Sequence, residues 1–117
     1  MTVYPIEPMG APRMTRADAW KKRPVVLKYR AFKDACQAAG LQIPGFGHRV
    51  TFVLPMPKSW SKSRKKIMNG SLHCQKPDID NLLKAALDAI YDDDSVVSDI
   101  AVRKVWGEQG AIVVVAQ

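Results

Sequence analysis

The hydrophobic and polar positions of the chain change period several times, and each change marks an element. Residues 3–7 read as a short strand. Pro24 opens a helix in the favoured first-turn position. Behind it, Val25, Tyr29, Phe32, Cys36 and Ala39 recur at steps of four, three, four and three, one helical face. Gly40 supplies the left-handed stop. Cys36 lies on the apolar stripe, where a thiol packs rather than reacts. After a turn at Pro44-Gly45-Phe46-Gly47 the period becomes two: over 49–54, Val50, Phe52 and Leu54 share one face and Thr51 and Val53 the other. Pro55 and Pro57 stop that strand. Ser61 caps a short helix running to Met68, with Asn69-Gly70 as its stop. A second main helix spans Asp80 to Tyr91, with Leu83, Ala86, Leu87 and Ile90 on one side and Leu82 beside them. Two more strands follow, near 100–106 and 111–116, joined by a turn around Gly107 and Gly110. The last run, Ala-Ile-Val-Val-Val-Ala, lacks alternation and suits a strand buried on both faces.

These elements predict an α/β fold: a small single domain over 1–117, with a mixed β-sheet and two main helices packed on it. Its 117 residues suffice for one core, since domains commonly run to roughly 100–150 residues. The segments 8–24 and 55–76 read as basic loops, with Trp20 as an anchor in the first. No apolar run approaches the length of a membrane span. The N-terminus lacks the basic start and apolar stretch of a signal peptide. Cys36 and Cys74 make no disulfide framework, so a cytoplasmic protein with free thiols is expected.

Charge changes the picture. Residues 1–77 carry 15 basic and three acidic side chains, a balance of +12, whereas 78–117 carry three basic and eight acidic, a balance of −5. A basic surface of this size suits a polyanion such as nucleic acid. The acidic end opposes such binding unless a divalent cation neutralises it. A basic protein with no such partner is the plainer reading of charge alone.

The candidate chemistry lies at Lys76-Pro77-Asp78-Ile79-Asp80-Asn81-Leu82-Leu83-Lys84. In an extended segment Asp78 and Asp80 point to the same side, and two converging carboxylates repel unless a proton or cation joins them. Oxygen-only ligands select a hard ion, Mg²⁺ with Mn²⁺ as substitute. The structural alternative is that Asp80 caps the helix while Asp78 is solvated. Asp92-Asp93-Asp94 then follows the helix C-terminus, where acidic residues are unfavourable, so function or an exposed turn must account for them. Their spacing is not that of an EF-hand. Lys84, four residues after Asp80, shares its face and is suited to steadying phosphorane charge. An exposed ion pair with Asp80 or Asp88 is the other use of that side chain. His48 and the His73-Cys74 pair lack zinc-site spacing. No glycine-rich phosphate loop is present, so no nucleotide cofactor is expected.

Asp78-Ile79-Asp80-Asn81-Leu82-Leu83-Lys84-Ala85-Ala86-Leu87-Asp88-Ala89, followed by Asp93-Asp94-Ser95-Val96-Val97, resembles the RusA-type Holliday junction resolvases, the crossover junction endodeoxyribonucleases. The prolines and basic residues of 8–24 and the segment 55–70 look like the phage-type branch. The resemblance implies that Asp78, Asp80 and Asp94 are the metal-binding and catalytic aspartates, with Asp93 as a neighbour, and that Lys84 is the catalytic lysine. It further implies a homodimer that cuts four-way DNA junctions by paired symmetric nicks in recombination and repair. Where some members carry an arginine cluster before the aspartates, this chain has Gln75-Lys76-Pro77. Arg13, Arg16, Lys62, Arg64, Lys65, Lys66 and Lys76 are the expected DNA contacts. Two other readings stay open: a non-catalytic DNA-binding protein, and a metal-dependent nuclease preferring flaps or plain duplex.

Overall fold

The computed structural model describes residues 1–13 and 23–117. Among them the elements run β1 (Thr2–Tyr4), α1 (Pro24–Ala38), β2 (His48–Pro55), α2 (Lys62–Met68), α3 (Ile79–Ile90), β3 (Ile100–Gly107) and β4 (Ala111–Ala116), with a 3₁₀ turn at Asp94–Val96. Arg16 and the Trp20 anchor lie outside the described residues. Among the described residues, no helix is long and apolar enough to cross a membrane.

The four strands form one mixed sheet in the order β1-β4-β2-β3. β2 runs parallel to β3 and antiparallel to β4, and β1 pairs antiparallel with β4. A parallel neighbour requires a crossover, and α2 and α3 lie within it. The turn between β3 and β4 does not join sheet neighbours, because β2 lies between them. At that end of the sheet Met56 N–H donates to the Gly107 carbonyl at 3.0 Å as the chain leaves β2.

One face of the sheet carries the core, as the period of two in β2 predicts. Val50, Phe52 and Leu54 are buried there with Ile112 and Val114 of β4, against Tyr29, Phe32 and Cys36 of α1 and Leu82, Ala85, Ala86 and Ala89 of α3. Each large apolar side chain so buried contributes about 1.5–3 kcal/mol relative to exposure.

Four expectations need correction. The buried stripe of α1 begins at Val26, not Val25, and Ala39 is an exposed cap residue rather than a core one. Helix α3 buries Leu82, Ala86 and Leu87 as expected and adds Ala85 and Ala89, while Leu83 and Ile90 are only half-buried at its margins. Strand β4 is buried on one face only: Ile112 and Val114 are covered, whereas Val113 and Val115 are half-exposed. The first strand covers 2–4 rather than 3–7, since Pro5 has no N–H to donate.

The stop of α1 follows its sequence signal. Gly40 takes φ +68°, Leu41 N–H donates to the Cys36 carbonyl and Gly40 N–H to that of Gln37. This is a Schellman closure, and Leu41 is buried beneath it.

Candidate active site

Asp78 and Asp80 stand at the opening of α3. The helix begins one residue earlier than its pattern predicts, at Ile79. Asp78 is therefore the N-cap residue and Asp80 lies in the first turn, instead of both lying in an extended segment. The helix dipole favours anions there. Capping nevertheless does not explain them. The Asp78 carboxylate makes no cap hydrogen bond, and its ionic neighbour among the described residues is Lys76, 3.7 Å away on an almost fully exposed side chain. Asp80 is exposed and makes no hydrogen bond or ion pair among the described residues.

The segment leading into this pair is held from two sides. The ammonium of Lys104, on β3, donates to the carbonyls of Gln75 and, at 2.7 Å, Pro77, while its own carbonyl accepts from His73 N–H at 3.0 Å. On the other side lies Gly10, where a Cβ would come within 2.6 Å of Asn81 Nδ2 and 3.3 Å of Pro77 Cβ. A side chain at residue 10 would displace the Asn81 amide and press on Pro77, so the N-terminal segment lies close against the head of α3. The Lys76–Pro77 peptide bond is cis. Neither Lys104 nor Gly10 stands out as a motif. A signal for Lys104 does exist, because a cation interrupts the inward series Val102, Lys104, Trp106 on a strand whose partner position is buried Phe52.

Asp94 lies beyond the opposite end of α3, whose twelve residues span about 18 Å. Among the described residues, no three His, Cys, Asp or Glu side chains stand close enough together to hold a metal ion. The acidic run after α3 divides by role. Asp93 caps the 3₁₀ turn, its carboxylate accepting from Ser95 N–H at 3.0 Å, and these bonds from Ser95 hold its carboxyl below the usual carboxylate range. Asp92 and Asp94 are exposed and make no side-chain hydrogen bond among the described residues. Lys84 faces Asp88 at 4.0 Å rather than Asp80. Both acids are four residues from the lysine, and the one chosen is itself bound to Tyr29 of α1.

The basic residues gather on α2. Ser61 caps this helix, accepting from Arg64 N–H at 3.2 Å, and α2 buries none of its side chains. Arg64 lies over the Trp60 ring at 4.0 Å; Trp60 packs on Trp106 at 4.8 Å, and the His73 ring on Trp106 at 4.1 Å. Lys62, Lys65 and Lys66 line a cleft of about 490 Å³ with Met56, Asn69 and Glu108. This cleft is not at the aspartates. The aromatic wall joins the two regions, since His73 is tied to Lys104 and the segment before Asp78. Burial and then the Lys104 charge hold the His73 imidazole below its ordinary pKa, so the neutral ring accepts from Gln75 N–H through Nδ1. Arg13 is exposed, and its carbonyl accepts from Arg23 at 3.1 Å.

Two exposed carboxylates at one helix opening fit a hard divalent ion, because Mg²⁺ is commonly held by one or two carboxylates with water and substrate phosphate completing its shell. The donors are oxygen only, which disfavours zinc or copper.

No solved structure matches the chain. Among curated proteins, the uncharacterized protein YqaN of Bacillus subtilis (strain 168) is 46% identical over 63 residues. That stretch covers 47% of this chain and 44% of the relative, so the comparison reaches less than half of that protein. The family model for endodeoxyribonuclease RusA matches residues 5–116, nearly the whole length of the chain. With an α/β fold that sets an uncapped Asp-x-Asp at the head of a helix, the chain belongs to the RusA endodeoxyribonuclease family.

Proposed function

We propose that the protein is a metal-dependent endonuclease that resolves four-way DNA junctions as a homodimer, by paired symmetric nicks. Its family membership supports the reaction class. The observation that carries the site is the exposure of Asp78 and Asp80: a carboxylate at an N-cap position that does not cap, beside a second with no hydrogen bond or ion pair among the described residues.

In this reading Asp78 and Asp80 hold Mg²⁺, or Mn²⁺ in its place, beside the scissile phosphate. Asp94 serves as the third carboxylate and engages in the assembled DNA complex, since α3 separates it from the pair within the chain. The bound ion would supply an acidified water and neutralise charge on the phosphate. Lys84 lies one turn along the helix from Asp80, where its ammonium steadies the charge that develops on the transferring phosphate or leaving oxygen. Lys62, Arg64, Lys65 and Lys66 hold the DNA backbone along α2, and Arg64 is oriented for this by its stacking on Trp60. Lys76 and Arg13 extend that grip, and Arg16 is a further proposed DNA contact. Two such sites in a symmetric dimer match the two-fold symmetry of paired nicks.

The test is cleavage of an end-labelled synthetic four-way junction in Mg²⁺, with linear duplex and flap substrates of matched sequence at equal concentration. Paired nicks at symmetric positions on the junction alone are expected. Tight binding without cleavage in either Mg²⁺ or Mn²⁺ would instead identify a DNA-binding protein, and equal cutting of flap or duplex a nuclease of another preference.

A further inference from the structure

We infer that Lys104 is a positioning residue for the Asp78–Asp80 pair, acting through the segment 73–77; this rests on the reading of that pair as metal ligands. Its ammonium bridges two carbonyls, of Gln75 and Pro77, and the second belongs to the residue immediately before Asp78. Its main chain binds His73 as well, so a single residue of β3 fastens both ends of the segment.

The choice of a lysine is informative. Lys104 shares the inward face of the sheet with Phe52 and Trp106, where an apolar residue would serve packing better. Lys104 is half-buried as a residue, and no carboxylate lies within ion-pair distance of its ammonium among the described residues. Carbonyl oxygens alone receive it. Such an arrangement is costly for packing but effective at fixing two carbonyls at a set separation. The sheet beneath is rigid, with β3 paired to β2 along its full length. Gly10 closes the other side, against Pro77 and Asn81. The carboxylates at the helix opening are thus carried by a segment pinned between a strand and the N-terminal chain. Outer partners of this kind hold metal ligands in register without touching the ion. Arg103 next to it points to the opposite face and is exposed, so it is not an equivalent cation.

The experiment compares wild type, Lys104→Met and Lys104→Arg by Mn²⁺ titration followed by electron paramagnetic resonance, and by amide hydrogen exchange. Lys104→Met is expected to weaken Mn²⁺ binding about tenfold and to speed exchange over 73–80 about tenfold. It should leave exchange in β2 and β4, and junction affinity in EDTA, unchanged. Lys104→Arg, which keeps the charge and donors, should recover most of the Mn²⁺ affinity. If Lys104→Met does not fold, Lys104→Gln, which keeps a polar group but is too short to bridge the Gln75 and Pro77 carbonyls, carries the same expectations for exchange and Mn²⁺. Unchanged exchange over 73–80 would overturn the clamp. Faster exchange with unaltered Mn²⁺ affinity would overturn the positioning role. A wild-type protein that binds no Mn²⁺, while exchange still responds to Lys104→Met, would locate the failure in the metal reading and overturn the positioning role with it.

Discussion

The Tyr29 hydroxyl donates to Asp88 Oδ2 at 3.2 Å, joining α1 to α3 across 59 residues of sequence. The same carboxylate faces Lys84 at 4.0 Å, so the acid beside the lysine proposed to act on DNA is tied to a second helix. Burial first, and then Asp88, push the Tyr29 phenol up from 10.0 to about 12. Between those values the unfolded chain has lost the proton that the folded chain keeps, so stability is fully present below about pH 10 and falls as pH rises towards 12. Burial of Cys36, raised from 9.0 to about 11, gives the same sign in a lower window. Tyr29→Phe should remove the upper part of this alkaline slope and cost about 1 kcal/mol at neutral pH. Urea unfolding from pH 8 to 12 measures both.

Asp78→Asn and Asp80→Asn should abolish cleavage while sparing the fold. Neither carboxylate caps the helix, so the stability change should stay within about 0.5 kcal/mol. Loss of a metal ligand removes several kcal/mol of transition-state stabilisation, about a thousandfold in rate. Junction binding should persist in both variants, and EDTA should reproduce their phenotype in wild type. A mutant that cuts at the wild-type rate in Mg²⁺ refutes the assignment.

Replacing Lys62, Lys65 and Lys66 by alanine should weaken junction binding and flatten its salt dependence, by about one unit of slope for each phosphate that is no longer neutralised. Thermal stability should be unchanged, because α2 buries none of its side chains. Fluorescence anisotropy across a salt series reads the slope directly.

Ser61→Ala removes the cap of α2 and should cost that helix about 1 kcal/mol. Faster amide exchange confined to 62–68, with a denaturation midpoint close to wild type, is the expected result.

Gly40→Ala should destabilise the whole domain by about 1–2 kcal/mol. A Cβ there meets nothing within 4 Å, so the cost is that of φ +68° alone. Gly40→Asn, which tolerates that conformation better, should recover part of the loss in equilibrium unfolding.

Most elements are legible because their ends carry chemical signals: Pro24 and Gly40 bound α1, Ser61 and Asn69-Gly70 bound α2, and Pro55 is the last residue of β2. The stripe on α3 was harder to read, because alanine gives a weak hydrophobic signal. Sheet order was not in the periodicity, which says which face is buried but not which strand is the neighbour. Asp78 and Asp80 announced themselves by local spacing, although their extended geometry did not hold once α3 began at Ile79. The Lys84 partner was undecided because Asp80 and Asp88 are equally spaced from it, and Tyr29, far away in sequence, settles it. Lys104 is 29 residues from Gln75 and 27 from Pro77, a convergence that only the fold creates.

Helix α2 contributes mainly charge to the surface and no fully buried side chain to the core. Substitutions along it therefore escape the constraint that packing imposes on α1 and α3. Exposed Lys62 and Lys66 can be exchanged or reversed in sign with little folding penalty to limit the search. In this scaffold, affinity for a nucleic acid and persistence of the native state are separable traits at those positions.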